Sequence, residues 1–260
     1  MRSRWLVVVA LLAAVVRVGN DAQRLLGNPT RYWNWEESYN AAVGYYAWTA
    51  GLWDQLLRLQ QKSFCGGCTV VGLLAAPSLG MFGDHLWAWK LVPLAWTVAT
   101  LFVGAGALKA LVGDAAALAW LVLFAVPPPG VSELGLMAWG NHAESTIFVL
   151  GALWATARQR YGIAAFLLGF GVWFCRTSAY AALVLVPLLS VRGGRAGAVR
   201  TLGGVALGLL PLALPAAAGD AGGYDLGIGS LLAPDGWAGV VARAHAVGTP
   251  LGFEIGRAHV

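Results

Sequence analysis

The chain has 260 residues, 58% of them hydrophobic and 11% charged, with a mean hydropathy of +0.68. A soluble domain carries roughly 25% charged residues, and a soluble core of this size cannot hide so much apolar surface; disorder, collagen and coiled coil are excluded by the same composition. The chain therefore reads as an all-α polytopic membrane protein, and its net charge of +5 and pI of about 9.4 fall in short runs that orient membrane spans and do not imply a nucleic-acid partner.

Arg2 and Arg4 precede an apolar run from Trp5 to about Val18, which puts the N-terminus in the cytoplasm and makes this run the first span. A cleaved signal peptide is the competing reading, since the run is short and Arg17 interrupts it, but Val18-Gly19-Asn20 is a poor cleavage site. From Asn20 to Gly67 the chain is polar and aromatic and is expected to form a long outer loop. Ala41 to Gln60 within it reads as one or two juxtamembrane helices, because Trp48, Leu52, Leu56 and Leu59 recur at helical spacing. Thr69 to Phe82 is apolar but short for a crossing; it either lies in the interface or dips in and returns. Leu86 to Leu108 is a full-length span closed by Lys109. The run from Ala115 to Val126 stops at Pro127-Pro128-Pro129, which cannot continue a helix.

The next apolar segment starts after Gly140-Asn141-His142-Ala143-Glu144 and ends at Arg158-Gln159-Arg160. Ile163 to Leu189 carries Arg176 at its middle. Two short spans turning at Cys175-Arg176-Thr177-Ser178 keep Arg158 and Arg160 on the same side as Arg192, Arg195 and Arg200, so two are expected, with the turn covered by protein. A last span from about Thr201 to Ala218 brings the total to seven. Trp5, Trp33, Trp35, Trp87, Trp89 and Trp139 near the ends of apolar runs fit interfacial belts, and the 35 glycines fit close helix packing in lipid. The last seven residues, Glu254 to Val260, back-translate as GAG ATC GGA AGA GCA CAC GTC, the sequence of a common short-read adapter. They are expected to be a scar following a membrane domain over residues 1–253, with the natural chain continuing beyond Phe253.

Three polar clusters converge on the outer side in this topology: Trp35-Glu36-Glu37-Ser38-Tyr39, Asn141-His142-Ala143-Glu144, and the Arg176 turn. Ionisable groups near a bilayer are costly and are kept for a site or for pairing. Of Glu36 and Glu37, one could be a base and the other a structural acceptor, although adjacent glutamates also suit a solvated loop. Asn141 with Glu144 three residues on has the pattern of a helix start, and a helix start at an aqueous mouth favours phosphate. Arg176 is either a phosphate contact or a snorkelling cation. His142 and Glu144 lack a clear third ligand, so no metal is expected. Cys65-Gly66-Gly67-Cys68 has C-x-x-C spacing without a βαβ pattern or a second pair, which favours a tight Gly-Gly turn over a thiol redox site.

The order of these features resembles the GT-C superfamily of membrane glycosyltransferases, of the protein O-mannosyltransferase and aminoarabinose transferase type. The resemblance covers roughly Arg4 to Leu189 and rests on a first span, a long outer loop with Glu36, Glu37 and Tyr39, juxtamembrane helices, and a span introduced by Phe82-Gly83-Asp84-His85-Leu86-Trp87-Ala88-Trp89-Lys90-Leu91-Val92-Pro93. Glu36 stands where the family usually has Asp. The resemblance implies a bacterial inner-membrane enzyme moving a sugar from a polyprenyl-phosphate donor to an acceptor hydroxyl, without a cofactor. Glu36 or Glu37 would take the hydroxyl proton. Arg58, Lys62 and Arg176, with the Asn141 helix start, would hold the leaving phosphate, and Tyr39, His142 and Glu144 would orient sugar or acceptor. A transporter or channel-type protein is the alternative, since short broken helices, glycines and buried charges also describe transporters.

Overall fold

A computed structural model describes residues 4–28, 32, 35–49, 66–83, 85–140 and 142–217. Among them every regular element is helical: α1 (Arg4–Gly27), α2 (Trp35–Thr49), α3 (Gly67–Phe82), α4 (Leu86–Leu111), α5 (Asp114–Ala125), α6 (Pro129–Leu136), a 3₁₀ turn (Ala143–Ser145), α7 (Thr146–Ala157), α8 (Tyr161–Phe174), α9 (Ser178–Arg192) and α10 (Gly194–Ala217). Residues 254–260, with the scar expected there, lie outside the described residues.

Two of these helices, α1 from Trp5 and α4, are long and apolar enough to cross a membrane, as an integral membrane protein requires. A third crossing is available if α5 and α6, bent by 77° at the prolines, act as one broken span. The segments Gly67–Phe82, Ala143–Ala157, Tyr161–Phe174 and Ser178–Arg192 are apolar but shorter.

The first helix continues to Gly27 instead of ending near Val18. Asp21 falls one helical turn after Arg17, and their side chains pair at 2.6 Å with both groups buried. That pair lets the helix carry two charges through a packed region. The expected outer loop is accordingly shorter, and part of it is helix: α2 starts at Trp35, six residues before the expected juxtamembrane helix. Residues 50–65, which hold the rest of that expected helix, lie outside the described residues.

The triple proline shapes the next corner. Prolines 127 to 129 bring no N–H groups, so the last carbonyls of α5 lose their helical donors. Side chains of α1 replace two of them: Arg17 Nη1 donates to the Phe124 carbonyl at 3.2 Å, and Asn20 Nδ2 to that of Ala125 at 3.5 Å. Ser132 of α6 completes the junction by donating to Asp21 Oδ1 at 2.8 Å.

In lipid, close packing of small residues holds helices together. Gly204 and Gly208 of α10, spaced as G-x-x-x-G, lie against the backbone of α8 at Gly162, Phe166 and Phe170. The break between α8 and α9 falls at residues 175–177, where the sequence places it, and the two helices pack on each other with Leu168 and Leu189 in one buried cluster. At the other break, between α7 and α8, Gln159 adopts a left-handed conformation with φ 58°. Its N–H donates to Thr156 and that of Arg160 to Ala155, a Schellman closure that satisfies carbonyls at the end of α7.

Candidate functional site

One end of the bundle is built around a non-helical stretch, residues 137–140, that links α6 to the 3₁₀ turn. Irregular backbone away from water persists only where protein satisfies its polar groups, and side chains from three helices do so here. Ala138 N donates to Glu37 Oε1 at 2.7 Å. Asn40, three residues after Glu37 and so on the same face of α2, donates to the carbonyls of Ala138 and Trp139, both at 3.0 Å. Lys90 of α4 donates to the Leu136 carbonyl at 3.0 Å, and Cys68 of α3 to Trp139 at 3.5 Å.

Lys90 and Glu37 are the centre of this frame. Nζ reaches both carboxylate oxygens, at 2.6 and 2.9 Å, and also the Tyr32 carbonyl; Trp89 Nε1 adds a bond to Oε1 at 3.1 Å. Glu37 is fully buried and Lys90 is 1% exposed. With Oε1 accepting from three donors, this carboxylate is committed to holding the frame. Its sequence-level candidacy as a base is therefore met by a different placement, one in which the charge is spent on Lys90.

Gly140 has φ +74°, and a Cβ at Gly67 would fall on its carbonyl oxygen, so two glycines are needed for the 66–68 turn to meet the stretch. The same turn ties in the α8 end, since Gly66 N donates to the Trp173 carbonyl at 2.9 Å. The Glu37 frame, the Gly140–Glu144 phrase and the turn that carries Arg176 are thus brought to one end of the bundle.

Beside the frame lies a cavity of about 440 Å³ between α1, α4, α5, α6 and the 3₁₀ turn. Its walls are mainly apolar, with Trp96, Trp120 and Leu134 among them; Thr97, Thr100, Thr146, Arg17 and Glu144 are its polar points. Glu144 is 4% exposed. Its Oε1 accepts from Gly140 N at 3.0 Å, while Oε2 has no hydrogen-bond partner among the described residues.

His142 is exposed, its ring set edge-on to Trp139 at 4.4 Å between centroids. Arg176 is half-buried in the turn between α8 and α9. Glu36 and Tyr39 lie on α2, with their side chains outside the described residues; Asn141, Arg58, Lys62 and Cys65 are outside them altogether. Among the described residues no three His, Cys, Asp or Glu side chains converge as a metal site needs. Lys90, Asn40 and Arg17 were not singled out by the sequence, although a lysine one turn into an apolar span signals a buried partner.

Compared with protein-family models, curated proteins and solved structures, the chain matches none.

Proposed function

We propose that the chain is a membrane glycosyltransferase of the kind the GT-C enzymes represent, moving a sugar from a polyprenyl-phosphate donor to an acceptor hydroxyl. The observation that carries the reading is the apolar cavity of about 440 Å³ that has the buried Glu144 in its lining, beside the stretch where the three polar clusters meet. A cavity of this lining suits an isoprenoid chain, and its acidic residue suits the reacting sugar. The seven-crossing topology, with a cytoplasmic N-terminus and this end facing outward across a bacterial inner membrane, belongs to the same proposal.

In the reaction a carboxylate accepts the acceptor hydroxyl proton while the hydroxyl oxygen bonds to the anomeric carbon. The bond from that carbon to the phosphate oxygen breaks, and its electron pair leaves with the lipid phosphate. Glu36 and Glu144 are the proposed carboxylates, with Glu37 holding the frame. Arg176, Arg58 and Lys62, together with Asn141, stabilise the departing phosphate, and His142 and Tyr39 orient the sugar.

The test is donor consumption by the full chain in vesicles loaded with polyprenyl-phosphate sugar. Glu36→Gln or Glu144→Gln is expected to slow it roughly 10²- to 10⁴-fold, the usual weight of a general acid or base; wild-type rates in both variants would contradict the assignment. A transporter remains the second reading because α5 and α6 form a proline-broken pair bent by 77°. Solute flux across the same vesicles without donor consumption would select it.

A further inference from the structure

The opposite end of the bundle holds a second cleft, of about 360 Å³, between α4, α7 and α8. Its inner wall is apolar, formed by residues such as Val103, Phe148 and Leu167, and Arg158 and Arg160 stand at its rim. Ile163, 50% exposed, marks its open side.

The backbone that carries the two arginines, and the Arg158 side chain, are held in place by the chain itself. The Schellman closure at Gln159 reverses the backbone between them, and the Arg158 guanidinium lies 4.4 Å from the centre of the Trp154 ring. Trp154 is in turn seated against Gly106 of α4, where a Cβ would come within 2.8 Å of the ring. The charge around them is one-sided: Arg192, Arg195 and Arg200 belong to the same end, and between Glu144 and Asp220 the sequence holds no acidic residue. Lys109, at the same end, is paired with Asp114 at 3.1 Å.

We propose that this cleft binds an anionic phospholipid, with an acyl chain along the apolar wall and the phosphodiester held by Arg158 and Arg160. Basic residues at the rim of an apolar inter-helix cleft provide both halves of such a ligand, and the positive-inside rule assigns this end to the leaflet richest in acidic headgroups. A zwitterionic lipid offers the same acyl chain without net charge, so charge complementarity selects the anionic class.

Native mass spectrometry of the full chain with added phosphatidylglycerol or phosphatidylcholine of matched chains reads this directly. Wild type is expected to retain phosphatidylglycerol at least about fivefold more tightly, the weight of one arginine near an anionic surface. R158Q/R160Q should lose the preference and R158K/R160K should keep most of it. R192Q/R195Q removes the same charge from exposed positions at this end, and should leave the preference intact. No preference in wild type, or equal loss in the two glutamine pairs, would overturn the proposal in favour of diffuse attraction.

Discussion

Lys90 and Glu37 show what a charge inside an apolar bundle is for. Three ammonium protons are shared among the Glu37 carboxylate and two backbone carbonyls, and the pair fixes the path of residues 136–138. Removing one partner strands the other, which typically costs about 3–5 kcal/mol. Lys90→Met should lower thermal stability in detergent by that order, whereas a change under about 1 kcal/mol would mean that the frame is held elsewhere. Of the site, the sequence made the clusters legible but not the division of labour within them. Adjacent glutamates look alike until the partner 53 residues away is known.

At the scale of elements, hydropathy located the apolar helices and the breaks at the prolines and at Arg176, because those breaks depend on local chemistry. It could not follow α1 past Val18. Arg17, read along the chain, is an interruption; in the fold it pairs with Asp21 and caps the Phe124 carbonyl, 107 residues away, that the prolines leave without a donor. Arg17→Met would expose both defects at once, an unpaired buried Asp21 and an orphaned carbonyl, and should destabilise by about 3–5 kcal/mol. Circular dichroism melts of the reconstituted protein check this. Retention of wild-type stability would show that α5 finds its donors without α1.

The helical bundle of the described residues has two chemically distinct ends. One carries the side-chain frame, the buried Glu144 carboxyl and the larger cavity, and the other carries the arginines of the α7–α8 and α9–α10 turns. Charge patterning in the sequence foretold this polarity, because arginines cluster in short connections. Cavities were not legible, since they depend on which side chains face one another across helices far apart in the chain. The most direct test of the account is retention of polyprenyl phosphate by the full chain, measured by native mass spectrometry in wild type and in Thr100→Trp, which fills the cavity from α4. The cavity account predicts a specific complex in wild type and binding weakened at least roughly tenfold, about 1.4 kcal/mol, in the variant. Equal retention by both proteins, or none by wild type, would contradict it.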